Sequence, residues 1–166
     1  MLNSLNNDLI NDIMLPNINL IRRLLERTER VGKEIVYVAY ENGSKIVFEL
    51  GPTGGAFPVN MPLVEYVLHT HPVPRFTPSL ADVVTAFRIS RAKGRPVPLF
   101  TISRVGDKAV IYEIKVSPRA DIESLINEIM PIEEAVTQDI EKFSRVQHYR
   151  MISRRDISVT RFILSL

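Results

Sequence analysis

LVEYVLHTHPVPRFTPSLADVVTAFRISRAK, residues 63–93, changes character twice along its length. Its first part, Leu63–His71, is rich in β-branched, aromatic and aliphatic side chains and has the length of a strand, which Pro72 ends. The next stretch holds Pro72, Pro74 and Pro78, too many for regular structure. From Ser79 to about Lys93 the pattern becomes helical, with Val83, Val84, Phe87 and Ile89 as the apolar stripe and Gly94 as the stop. A strand, an irregular crossover and a helix therefore follow one another in the middle of the chain.

Working outward, both flanks are β-rich. Upstream, EIVYVAY (34–40) and KIVFEL (45–50) bracket Asn42-Gly43, the strongest short-range hairpin signal. Downstream, PLFTISRV (98–105) and KAVIYEIKV (108–116) bracket Gly106-Asp107 and form a second hairpin. Gly51–Pro58 reads as a loop. An amphipathic helix carrying Ile18, Ile21, Leu24 and Leu25 on one stripe precedes the first hairpin and ends near Gly32. Another helical pattern occupies 2–14, and 119–143 is expected to be helical with Pro131 splitting it. ISVTRFILSL, at the end, fits a strand or a short helix equally well. The expectation is α+β: a largely antiparallel sheet flanked by helices in a single domain over 1–166. Its core is expected over about 18–118, with helical extensions at 1–15 and 119–166.

Two of the three histidines are His69 and His71, at the end of the central strand. Residues i and i+2 of a strand share a face, roughly 6.5–7 Å apart, so both imidazoles can converge on one ion. Asp82, in the first turn of the following helix, can be swung back toward the strand end as a third ligand. Two imidazoles and one carboxylate leave a coordination position open, the arrangement of a catalytic zinc. A plainer account also exists: the histidines form a polar rim, and Ser79-x-x-Asp82 is a helix-capping pattern. The two are compatible, because a helix start also presents its positive dipole end to the site.

Taken together, His69-x-His71-Pro72, six residues, Ser79, two residues, Asp82 resembles the H-x-H-P-x6-S-x-x-D signature of the JAMM (JAB1/MPN-type) metalloprotease family. The wording HTHPVPRFTPSLAD is similar to the prokaryotic and RadC-like branches. The resemblance implies a JAMM/cytidine-deaminase-like fold and one Zn2+ per chain held by His69, His71 and Asp82. It also implies an upstream glutamate as general base and Ser79 as a donor to the oxyanion. Glu34, immediately before the first strand, is the candidate base. Glu29 is its rival, because Glu29-x-x-Gly32 resembles the E-x-x-G of the deubiquitinase branch. The implied activity is zinc-dependent hydrolysis of peptide or isopeptide bonds. The implied partner is a protein or peptide substrate, for instance the tail of a ubiquitin-like modifier. Thr70, between the two histidines, points to the other face of the strand and reads as structural.

Composition narrows the alternatives. There is no cysteine, so disulfides, thiolate ligands and a thiol nucleophile are all excluded. The start, MLNSLNNDLINDIML, lacks the basic opening of a signal peptide. No apolar run approaches the ~18 residues of a membrane span, so a cytoplasmic location without membrane association is expected. Net charge is +2, but residues 144–166 carry five arginines against Asp156 alone, a local +4. Such a tail is most often a solvated face; it is also where a RadC-like nucleic-acid partner would bind. A non-catalytic MPN-type scaffold is the other alternative to the enzyme. His148, among the arginines, reads as a surface residue in a helical tail.

Overall fold

The structure, a computed structural model, describes residues 18–50, 60–72, 80–124, 148–153 and 156–166. The expected helix over 2–14, the 51–58 loop, Ser79 and most of the expected 119–143 helices lie outside the described residues. The elements in chain order are α1 (Ile18–Val31), β1 (Glu34–Tyr40), β2 (Lys45–Leu50), β3 (Val64–Thr70), α2 (Leu80–Lys93), β4 (Leu99–Val105), β5 (Lys108–Val116), β6 (His148–Ser153) and β7 (Ile157–Ser165). The seven strands form one sheet in the order β2-β1-β3-β4-β5-β7-β6.

Both expected hairpins form. Gly43 closes β1–β2 with φ 83° and its N–H on the Tyr40 carbonyl, and Gly106 turns β4 into β5 at φ 63°. Every described neighbouring pair is antiparallel except β3–β4. That pair is parallel because the chain leaves β3 at its far end and must return through α2 before it can start β4, as any parallel connection requires. The α+β expectation therefore holds, with a single parallel step inside an otherwise antiparallel sheet.

The two-residue period of the strands sorts side chains between two helices. On one face Ile35, Tyr37, Ala39, Leu68, Phe100, Ile102 and Ile111 bury Ile21, Leu24 and Leu25 of α1. On the other, Val36, Val38, Val67, Leu99, Tyr112 and Ile114 bury Val83, Ala86 and Ile89 of α2. The sheet is thus covered by α1 on one face and α2 on the other. Tyr37 and Tyr40 are buried, in keeping with packing roles. The inward stripe of α2 differs from expectation: Val83, Ala86, Ile89 and Ser90 are buried, while Val84 and Phe87 lie on the flank. Ala86 is small enough to let the helix approach the sheet, and Phe87 is accommodated beside it.

The C-terminal extension is corrected. Residues 148–153 and 157–165 are strands of the main sheet, not helix, so the core does not end near 118 and His148 stands in β6 rather than in a helical tail. The reason is local: Ile157, Val159, Arg161 and Ile163 alternate with Ser158, Thr160, Phe162 and Leu164, and β5 offers nine partners in register. Arg161 is 2% exposed, so this cation belongs to the interior and not to a solvated basic face. Its neighbour across the strands is Tyr112, whose hydroxyl burial pushes up to about 12, with the nearby Arg161 guanidinium pulling the other way. Among the described residues no helix is long and apolar enough to cross a membrane.

Candidate metal centre

The site forms where the end of β3, the start of β1 and the first turn of α2 meet. β3 alternates so that Val67 faces α2; two residues on, His69 does too, and His71 follows just past the strand end. The antiparallel pairing of β1 with β3 sets Val36 opposite His69. Continuing the same register puts Glu34 opposite His71, on the same face. Asp82, 3% exposed, enters from the α2 side. Position 82 is in the first helical turn, so a carboxylate there is also favoured by the helix dipole.

The four side chains close on one another. His69 Nε2 lies 2.9 Å from Glu34 Oε2 and its Nδ1 2.9 Å from Asp82 Oδ1. His71 Nδ1 lies 3.3 Å from Glu34 Oε1 and its Nε2 3.6 Å from Asp82 Oδ2. The two imidazole rings are 4.7 Å apart at their centroids. Each imidazole therefore spans the gap between two carboxylates. His71 Nε2 is buried with no hydrogen-bond partner, since 3.6 Å is beyond hydrogen-bond reach. A buried, unsatisfied imidazole nitrogen facing a carboxylate is costly in a metal-free site and is the donor that a cation would satisfy.

Glu34, His69 and His71 offer ligand atoms that all lie within 4.8 Å of one another, so these residues could hold a metal ion. Asp82 touches both imidazoles from the opposite side, which makes the donor set two imidazoles and two carboxylates. Such nitrogen and oxygen donors suit a divalent cation of the first transition row. Ser79 lies outside the described residues. Glu29 is not part of the cluster: its carboxylate is on the α1 surface, 3.4 Å from the Arg104 guanidinium. It does line a cavity of about 350 Å3 that reaches His71 and is also walled by Leu25, Thr28, Pro72 and Arg104. Thr28 was not singled out by the sequence, because a threonine on an amphipathic helix carries no signal of its own.

The electrostatics follow from the contacts. Hydrogen bonds from His69, then His71, hold Glu34 down to about 2, although burial opposes them. Burial alone would depress His69, but its bonds to Asp82 and Glu34 outweigh it and raise the imidazole to about 9. His71 is raised by the two carboxylates that face it and Asp82 is lowered by the two imidazoles, in each case against burial. With both ring nitrogens of His69 on carboxylates, only the imidazolium donates to both.

This fixes a pH window for protein stripped with a chelator. Glu34, lowered from 4.5 to about 2, contributes stability present above pH 4.5 and lost as pH falls through 2. His69, raised from 6.5 to about 9, contributes stability present below pH 6.5 and lost as pH rises through 9. The stabilisation from the cluster is thus complete between pH 4.5 and 6.5. Thermal unfolding of the chelated protein should show this contribution declining between pH 6.5 and 9, and His69→Gln should flatten that limb. An unchanged limb in the variant would show that His69 does not carry it.

With this geometry in hand, comparison with family models, curated proteins and solved structures finds no match to the chain.

Proposed function

We propose that the chain is a zinc-dependent hydrolase of peptide or isopeptide bonds, with its centre at His69, His71, Asp82 and Glu34. The observation that carries this reading is the convergence of Glu34 and Asp82, from two different elements, on the two imidazoles of the H-x-H-P motif. Nothing local requires it: Glu34 is 35 residues from His69 in sequence. His69, His71 and Asp82 would hold the ion, as the resemblance to the JAMM signature implies. The chemistry that zinc supplies in such a site is Lewis acidity, which polarises an amide carbonyl and acidifies water.

The chain supplies the rest. The Glu34 side chain is 22% exposed, so it is the carboxylate of the cluster that water and substrate can reach, whereas Asp82 at 3% is sealed in. Glu34 accepts a proton from the attacking water and returns it to the leaving amine. Ser79, by the resemblance, donates a hydrogen bond to the developing oxyanion. The cavity beside His71 gives a substrate segment a place to lie against α1. The non-catalytic scaffold reading has less support, because a scaffold does not need four acid and base side chains gathered at one strand end. The nucleic-acid reading loses Arg161 from its basic surface.

The test is elemental analysis of the purified protein, followed by a panel of isopeptide and modifier-fusion substrates. The expected result is about one zinc ion per chain and chelator-sensitive cleavage. No zinc after incubation with the metal at neutral pH would overturn the reading.

A further inference from the structure

The face of β3 opposite the histidines carries a buried pair of hydroxyls that the proposed chemistry leaves unused. Thr70 stands between His69 and His71, is fully buried, and points toward α1. Its Oγ1 accepts the Ile35 backbone N–H at 2.9 Å, donates to the Ile35 carbonyl at 3.3 Å, and forms a short hydrogen bond with Oγ1 of Thr28 on α1. Thr28 is itself 1% exposed. One proton arrangement satisfies every group. The Thr28 hydroxyl donates to Thr70, Thr70 donates to the Ile35 carbonyl, and the Ile35 amide donates to Thr70. The paired register of β1 and β3 ends at Val36 opposite His69, so beyond that point a side chain, not the ladder, holds the two strands together.

The position of this contact matters. Ile35 directly follows Glu34, and Thr70 directly joins His69 to His71. A bond between residues 35 and 70 on one face therefore sets the separation of residues 34, 69 and 71 on the other. Strand ends fray unless something holds them, and Glu34, the first residue of β1, is paired with Leu50 of β2 but has no ladder partner on β3.

We infer that the Thr28–Thr70 hydroxyl pair is a positioning device that fixes Glu34 across from His69 and His71 from the far side of the sheet. The positioning itself is independent of any metal; that it serves a metal centre rests on the function proposed above. Thr70 and Thr28 act through the strand ends and not on the reacting atoms, so they are positioning residues, although Thr28 also walls the cavity beside His71. Residues that orient metal ligands from behind are commonly worth about 10–100-fold in metal affinity.

The experiment compares wild type with Thr70→Val, which keeps shape and removes the hydroxyl, and Thr70→Ser, which keeps the hydroxyl. Thr28→Val is the second disabling variant, should the first not fold. Three quantities are read: the exchange rate of the Ile35 amide against that of Phe100 in the core, the nuclear Overhauser contact between the Glu34 side chain and the His69 ring in chelated protein, and zinc affinity by chelator competition. Thr70→Val should speed Ile35 exchange by about tenfold over any change at Phe100. It should also weaken the Glu34–His69 contact and lower zinc affinity by about tenfold or more. Thr70→Ser should restore all three. If Ile35 and Phe100 accelerate together while the Glu34–His69 contact is kept, the hydroxyls are merely part of the core and the inference falls. If wild type binds no zinc but Thr70→Val still breaks the Glu34–His69 contact, the metal reading falls and the positioning role stands.

Discussion

Glu34→Gln should leave zinc at about one ion per chain and cut kcat/KM by about 10^2–10^4-fold, the usual worth of a positioned general base. Glutamine has the size of glutamate and can still hydrogen-bond to His69 and His71, so the packing of the strand end is kept. What it lacks is a lone pair basic enough to take a proton from water. The apparent difficulty is that a carboxyl held down to about 2 is a weak base. It is held there by the two imidazoles, His69 first. Those contacts use the same ring nitrogens that an ion would need, so the low value belongs to the metal-free cluster and not to a loaded site. The variant also separates two ligand sets. The tightest group of donors is Glu34, His69 and His71, whereas the motif designates His69, His71 and Asp82. Loss of zinc in Glu34→Gln would make Glu34 a ligand. Retained zinc with retained turnover would move the base elsewhere, with Glu29 the next residue to test because it lines the cavity beside His71.

Part of this cluster is legible in the sequence, and the reasons are specific. The two-residue period places His69 and His71 on one face and Thr70 on the other regardless of fold, and the contacts of Thr70 with Thr28 agree. Asn42-Gly43 and Gly106 specify their hairpins through backbone conformations that other residues adopt at a cost. Gly32 and Gly94 end the two helices in the same way, each with its N–H on the carbonyl four residues back. What periodicity cannot give is which strands become neighbours. The parallel step between β3 and β4, the assignment of α1 and α2 to opposite faces, and the placing of Glu34 rather than Glu29 beside the histidines are long-range outcomes. Glu29 sits on an α1 stripe that faces Arg104, and no local pattern announces that. The C-terminal strand was ambiguous for a different reason. Arg161 occupies an inward position, so the alternation of β7 is interrupted by the residue type that most strongly suggests solvent. A buried arginine beside a buried tyrosine is a tertiary solution, and the sequence pattern registers it only as noise.

The second large effect is expected for Asp82→Ala, and it separates the structural role of that carboxylate from its proposed metal-binding role. In the cluster Asp82 is the most deeply buried acid, 2.9 Å from His69 and facing His71 at 3.6 Å. Its hydrogen bond to His69 and the nearby charge of both imidazoles keep it ionised against burial. Removing it takes away a proposed ligand and also leaves an imidazolium next to an empty methyl-lined space. Breaking a buried ion pair in this way costs roughly 3–5 kcal/mol, which for a chain of this size lowers Tm by about 10 °C. Zinc content should fall to about a tenth or less of wild type if Glu34 serves as the base, since two imidazoles are then the only ligands left. Asp82→Asn distinguishes the two contributions. It preserves shape and an acceptor for His69 but not the charge, so it should recover part of the stability while zinc stays low. If Asp82→Ala instead kept stoichiometric zinc, the ion would have to be held by Glu34, His69 and His71. Asp82 would then be a second-layer carboxylate that orients the imidazoles, the role the motif does not give it.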